Sequence, residues 1–191
     1  MAERMVTVFT PTYNRAGLLH RLYDTLILQT YKNFEWVIVD DGSKDNTKDV
    51  VSSFVKEGKL NIHYVQQENG GKHRAINTGV GLATGELFFI LDSDDILPNN
   101  ALELVVKTYQ PIKHEMSFAG VSGIDGIFDG RIIGSGLPDD SIDCNSVDIR
   151  YKFHVTGDMK EVFRTSVMKE FPFPDIEGEK FCPEALVWNR I

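Results

Sequence analysis

The chain reads as an α/β protein whose mainly parallel sheet is covered by helices on both faces. Three observations carry that reading. Over the first hundred residues, apolar runs of strand length alternate with segments whose apolar residues recur at helical spacing. The run at residues 87–91 is apolar throughout, as a strand covered on both faces should be. Strand–helix–strand units of this size close through right-handed crossovers, which lay successive strands parallel.

Each element has its own signal. Residues 5–10 form the first strand, which Pro11 is expected to stop. Leu18, Leu19, Leu22, Leu26 and Ile27 place an amphipathic helix at about residues 16–29. Residues 35–39 are the second strand. It runs into Asp40-Asp41-Gly42-Ser43, a turn able to cap a helix carrying Val50, Val51, Phe54 and Val55. Residues 60–65 make a third strand, and after Asn69-Gly70-Gly71 comes a helix with Ala75, Ile76 and Leu82, closed by Gly85. The fourth strand at 87–91 is followed by a helix at about 99–109.

Beyond residue 109 the alternation fades into short strand-like pieces at 117–121, 126–128 and 131–133, then a polar loop at 138–145. Further strands are expected at 147–155 and 160–163, with a short helix near 165–170. Phe171-Pro172-Phe173-Pro174 breaks the chain, and Pro183 begins a last helix. That helix stops abruptly at Ile191, which suggests a piece of something longer.

Composition narrows the function classes. The 191 residues fit one domain, with 42% hydrophobic, 25% charged and 10% aromatic residues. A net charge of −8 with no offsetting basic patch argues against a nucleic-acid binder, while leaving room for a nucleotide pocket with a few local cations. Cys144 and Cys182 form no disulfide framework or close metal-ligand pair, so a reducing cytoplasm is the default compartment. No signal peptide precedes the first strand, and the longest apolar runs are far below the roughly 20 residues that span a bilayer. Peripheral attachment at the cytoplasmic face of a membrane stays open.

The most informative stretch is Asp92-Ser93-Asp94-Asp95, three carboxylates in four residues directly after a buried strand. Carboxylates packed this closely oppose one another's ionisation unless something cationic sits among them. Hard divalent cations such as Mg²⁺ or Mn²⁺ take oxygen ligands, commonly one or two carboxylates plus the phosphates of a substrate. A helix cap ahead of Leu97-Pro98 is the plainer alternative, and one Asp would be enough for it. In open parallel sheets ligands bind outside the carboxyl ends of the strands. Three strand ends here carry polar clusters: Thr10-Pro11-Thr12-Tyr13-Asn14-Arg15, Asp40-Asp41-Gly42-Ser43 and Asp92-Ser93-Asp94-Asp95. The topology puts all three on one rim.

Those three clusters, with Asn69-Gly70-Gly71-Lys72 and Asn77, resemble family 2 of the inverting glycosyltransferases in order and spacing over roughly residues 5–98. The resemblance implies the GT-A fold and a nucleotide-sugar donor, most simply a UDP-sugar. It divides a single domain of residues 1–191 into a donor-binding half at about 1–98 and an acceptor-side half at about 99–191. Thr10, Pro11 and Tyr13 would line the base and ribose pocket, and Asp40 would hydrogen-bond the nucleobase. Lys72 and Arg74 would supply cations near the donor; each is otherwise a solvated charge on a helix's first turn. Asp92 would contact the ribose and Asp94 would hold Mn²⁺ or Mg²⁺, with Asp95 as a second ligand or supporting partner. His73 reads as a helix surface residue.

An inverting transfer also needs a base for the acceptor hydroxyl's proton. In the family this acid precedes a Trp by four residues, which points to Glu184 in Pro183-Glu184-Ala185-Leu186-Val187-Trp188, although Pro183 stands where a Glu is usual. On spacing alone Glu184 is equally a helix N-terminal acid favoured by the macrodipole. Glu177, Glu179 and Asp158 are rival acids, and Asp158 is also a candidate acceptor contact. His154 is an unanchored candidate metal ligand. Cys182 reads as a small buried residue and Trp188 as core or a wall of the acceptor site. The implied acceptor is a hydroxyl on a glycan or lipid-linked carrier. A non-catalytic nucleotide-sugar-binding module shares the motif set. A sugar-nucleotide pyrophosphorylase would carry a glycine-rich basic loop after the first strand, and a dinucleotide oxidoreductase would carry Gly-x-Gly-x-x-Gly there; this chain has neither.

Overall fold

A computed structural model describes residues 5–127 and 129–191. Among the described residues six strands form one sheet in the order β3-β2-β1-β4-β6-β5. The parallel part is β1 (Val6–Thr12), β2 (Phe34–Asp40), β3 (Ile62–Gln66) and β4 (Leu87–Ile90). β6 (Met159–Arg164) runs antiparallel to β4, and β5 (Gly120–Ile124) antiparallel to β6. The helices are α1 (Ala16–Ile27), α2 (Thr47–Glu57), α3 (Lys72–Leu82) and α4 (Ala101–Tyr109), then α5 (Asp148–Tyr151), α6 (Thr165–Glu170) and α7 (Ala185–Trp188). The expected α/β architecture is the one found.

Side chains alternate across each strand and sort into two cores. Val8, Trp36, Ile38, Leu87 and Phe89 pack with Leu19, Leu22 and Leu26 of α1, Phe54 of α2 and Leu102 of α4 on one face. Phe9, Val37, Val39 and Phe88 pack with Ala75, Ile76 and Val80 of α3, Met168 of α6 and Trp188 of α7 on the other. Val50, Val51 and Phe54 lie at least partly inward on α2, whereas Val55 is exposed. Glu35, fully buried in β2, accepts hydrogen bonds from the Thr7 hydroxyl and from the backbone and hydroxyl of Thr84.

Local differences from the sequence expectation have physical causes. Pro11 does not stop β1, which pairs with β2 as far as Thr12 and Asp40. Phe9 accepts from Leu91 on the β4 side, so Pro11 turns its missing donor toward that side beyond the end of β4. Residues 147–155 are not a strand: α5 forms there because the Asn145 side chain accepts hydrogen bonds from the Val147 and Asp148 backbone and starts a helical turn. The piece expected at 117–121 pairs as β5 from Gly120 onward, against β6. Of the pieces at 126–128 and 131–133 only a bridge between Gly126 and Ile132 forms, and Phe128 lies outside the described residues. The last helix is one turn long and begins at Ala185.

β1 to β3 build outward on one side, and β4 then returns to the other side of β1. The point where the strand order reverses therefore lies between β1 and β4. Crevices outside the carboxyl ends of strands at such a point are where open α/β sheets bind ligands.

Candidate active site

The rim begins with two knotted loops. Asn14, with φ of 53°, donates its backbone N–H to the Ser43 hydroxyl (2.8 Å) and accepts at Oδ1 from the Lys44 amide (2.7 Å). The loops after β1 and β2 thus hold each other. Tyr13 stands 46% exposed on this rim, with Pro11, two residues before it, partly buried. Thr10 is placed differently from expectation: it is fully buried, and its hydroxyl accepts a 3.0 Å hydrogen bond from the Trp36 indole. Its side chain belongs to the core, so only its backbone can face a ligand. Asp40 is also fully buried, accepting at Oδ1 from the Ser43 amide (2.7 Å) and at Oδ2 from the Tyr64 hydroxyl (2.6 Å). Burial and that carboxylate hold the Tyr64 phenol protonated well above its ordinary range.

Asp41, treated by sequence reasoning as turn-forming, organises the next layer. Its carboxylate accepts four hydrogen bonds: Gln67 Nε2 (2.8 Å) and the Gly70 amide (2.9 Å) at Oδ1, the Gly71 amide (2.7 Å) and Asn69 Nδ2 (3.1 Å) at Oδ2. This pins the turn that opens α3. Gly71 has φ of 98°, and a Cβ there would meet the Lys180 carbonyl oxygen at 2.0 Å, so only glycine fits. Lys72 follows directly and is aimed back at the rim.

Lys72 is the junction of the site. Its ammonium lies 2.8 Å from Asp92 Oδ1 and 2.7 Å from Glu184 Oε1. Burial opposes its charge, but Asp92 and Glu184 outweigh that and hold its pKa above the ordinary lysine value. Two acids more than ninety residues apart, one after β4 and one ahead of α7, therefore share a single cation. Asp94 pairs with Arg15 (2.9 Å) and Asp95 with Lys160 of β6 (2.7 Å). Each carboxylate of the cluster has its own counter-charge from a different element, which answers the repulsion implicit in the sequence. Arg15 and Lys160 were not legible in these roles, because neither follows from spacing along the chain.

Arg74 departs from its expected role. Its guanidinium donates to Asp175 Oδ1 (2.6 Å) and to the carbonyls of Gly70, Ile176 and Glu179. It fastens the segment after Phe173 onto α3, because a planar fork of donors matches several carbonyls at once. His73 is buried (2% exposed), correcting its reading as a surface residue, and its Nδ1 has no partner among the described residues. Glu177, Glu179 and Asp158 are exposed and line neither of the cavities that Glu184 faces. His154 is exposed with φ of 54°. Cys182 is half-buried and Trp188 packs in the core.

Glu184 stands between two cavities. One of about 280 Å³ is lined by Lys72, His73, Ile76, Phe173, Phe181 and Pro183 among others. One of about 40 Å³ is lined by Lys72, Asp92, Asp95, Lys160, Glu161 and Trp188 among others. Among the described residues no three or more His, Cys, Asp or Glu side chains converge as a ready-made metal cage. A Mg²⁺ or Mn²⁺ shared with substrate phosphates needs only one or two carboxylates. Asp94, half exposed at the β1/β4 crevice, fits that donor set.

Known proteins match this chain in sequence and fold. Residues 7–161 match the family model described as Glycosyl transferase family 2. The chain belongs to glycosyl transferase family 2. This family 2 chain is 31% identical over 163 residues to Glycosyltransferase GlyA of Streptococcus pneumoniae, covering 84% of the chain and 23% of GlyA. It is 31% identical over 196 residues to the GalNAc(5)-diNAcBac-PP-undecaprenol beta-1,3-glucosyltransferase of Campylobacter jejuni, covering 97% of the chain and 59% of that enzyme. The crystal structure of S. aureus TarS 1-349 in complex with UDP superposes with a TM-score of 0.67 at 25% identity, over 90% of this chain and 50% of that one. A mannosyltransferase from Pyrobaculum calidifontis shares the fold, with a TM-score of 0.65 at 23% identity over 91% of this chain and 49% of that one. The fold is thus GT-A, and the chain spans less than two thirds of each of these relatives. Among the described residues no helix is long and apolar enough to cross a membrane.

Proposed function

We propose that this chain carries out a metal-dependent inverting glycosyl transfer, from a nucleoside-diphosphate sugar, taken as a UDP-sugar, to an acceptor hydroxyl in glycan or polysaccharide synthesis. The observation that carries the reading is the Lys72 junction, which joins the donor-side Asp92 to the proposed base Glu184 at the rim of the switch point. On this reading Tyr13, Pro11 and the Thr10 backbone meet the base and ribose, Asp40 shapes the nucleobase end, and Lys72 faces the diphosphate. Arg74 acts indirectly, by fixing the segment that leads to Glu184. Asp94, with Asp95 behind it, would hold Mn²⁺ or Mg²⁺, which neutralises charge on the departing diphosphate when bound. Glu184 takes the acceptor proton while the acceptor oxygen attacks the anomeric carbon from the face opposite the diphosphate.

Residues 1–98 would form the donor half and 99–191 the acceptor half. The undecaprenol-linked substrate in the Campylobacter relative's name supports a lipid-linked or glycan acceptor; on this reading the acceptor is met at the cytoplasmic face of a membrane. The UDP complex of TarS supports a uridine donor. The test is a thermal-shift panel of nucleotide sugars with and without Mn²⁺, since a ligand at about 100 times its Kd stabilises the folded state by about 2.7 kcal/mol. A single UDP-sugar should raise Tm only with metal, and Asp94→Asn should abolish that rise at unchanged basal Tm. Release of UDP on incubation with donor separates an enzyme from a binding module, and the anomeric configuration of the product decides inversion. Binding that persists in a chelator would overturn the metal role.

A further inference from the structure

The smaller cavity holds an acid that the transfer scheme above does not use. Because β6 runs antiparallel to β4, its first residues lie at the rim where β4 ends, and Glu161 arrives beside Asp92 and Glu184. At about 40 Å³ this space admits a hydroxyl or a water molecule rather than a sugar ring. The other acids around it are ion-paired, Asp92 and Glu184 with Lys72 and Asp95 with Lys160. Glu161, half-buried, forms no ion pair and no hydrogen bond with another residue among the described residues; its carboxyl meets only its own backbone amide.

We propose that Glu161 and Glu184 act as one proton-accepting pair, and that the acceptor hydroxyl enters this cavity to give its proton to the two carboxyls together. The inference rests on the glycosyl-transfer reading. As the acceptor O–H bond breaks toward the pair, the oxygen's electrons form the bond to the anomeric carbon. The bond from that carbon to the diphosphate breaks, and its electrons leave with the diphosphate. The pair holds one proton until solvent removes it after product release, so the step balances.

The surroundings suit this role. Burial, followed by the charge of Glu184, pushes Glu161 up to about 7, against the opposing pull of its own backbone amide, Arg150 and Lys160. The remaining charges at the cavity are Lys72 from α3 and Asp92 and Asp95 from the loop after β4. A base poised near neutrality is both free to accept a proton and strong enough to hold one.

The test combines Glu161→Gln and Glu184→Gln with two readouts. Transfer, or donor hydrolysis, is followed from pH 5 to 9. The titration of side-chain carboxyls is followed by NMR on protein labelled with ¹³C-glutamate. Glu161→Gln should bind the UDP-sugar as tightly as the parent, turn over about 100-fold more slowly, and lose the rate limb near neutral pH. In Glu184→Gln, the carboxyl assigned to Glu161 should titrate at lower pH, because a like charge has gone. A Glu161→Gln variant with the parent's rate and pH profile overturns the proposal. So does a Glu161 titration unmoved in Glu184→Gln, which is read without any activity. A parent protein that turns over no nucleotide sugar while the two titrations remain coupled overturns the glycosyl-transfer reading, and the pair's role in transfer with it.

Discussion

Asp41→Asn is the most revealing single substitution. Asp41 is 4% exposed, and its two oxygens accept four hydrogen bonds. An Asn must turn its NH₂ toward one pair of donors. It cannot face Gly71 and Asn69 without strong conflict, because Asn69 is held by Lys180 Nζ on its Oδ1 (2.8 Å) and cannot flip to offer an acceptor. Facing Gln67, it can be accommodated, since that amide can flip and its other partner, the Thr78 hydroxyl, can rotate. The buried Gly70 N–H is then left without an acceptor, at about 1–3 kcal/mol. The Gly71 and Asn69 bonds survive without charge assistance, at roughly 0.5–1 kcal/mol each. The sum is about 3 kcal/mol, or a Tm lower by about 6–12 °C in a domain of this size. Urea denaturation followed by circular dichroism measures it, with the exposed Asp140→Asn as control. A change below about 0.5 kcal/mol would refute the view that Asp41 pins the turn carrying Lys72.

Other substitutions separate scaffold from site. Lys72→Met removes partly exposed ion pairs, so stability should fall by no more than about 1 kcal/mol, while the metal-dependent thermal shift by the donor should disappear. Arg74→Ala frees Asp175 and the carbonyls of Ile176 and Glu179, so limited proteolysis should cut residues 174–181 faster than in the parent. Glu161 has a folded-state pKa raised from 4.5 to about 7, so its neutral form favours folding. The sign follows: that contribution is complete below about pH 4.5 and is lost as pH rises through about 7. Glu161→Gln should therefore gain stability relative to the parent between pH 4.5 and 7 and keep a constant difference above. Urea midpoints across that range check it, and parallel curves would refute it.

The parallel half of the fold was readable because each of its strands and helices carries a local pattern of length and period. The region beyond residue 109 was read less well. Residues 147–155 look strand-like, yet an Asn145 side chain three residues before Asp148 converts them into a helical turn. Pro11 reads as a stop only if its neighbour strand is assumed to continue; β4 ends first. Arg74 and Thr10 sit in motifs singled out from the sequence, but their side chains serve the 173–179 segment and the core beneath Trp36.

The sequence by itself determined the alternation of elements, the polar strand ends and the concentration of carboxylates after β4, since these are properties of neighbouring residues. It also determined that those carboxylates need cations. Only the tertiary structure decided which cations. Lys72, Arg15 and Lys160 come from α3, the loop after β1 and an antiparallel strand, and nothing in one-dimensional spacing ties them to Asp92, Asp94 and Asp95. The same antiparallel return of β6 brings Glu161 beside Glu184. Charge partners across a rim are set by strand order and direction, so they emerge only once the sheet is assembled.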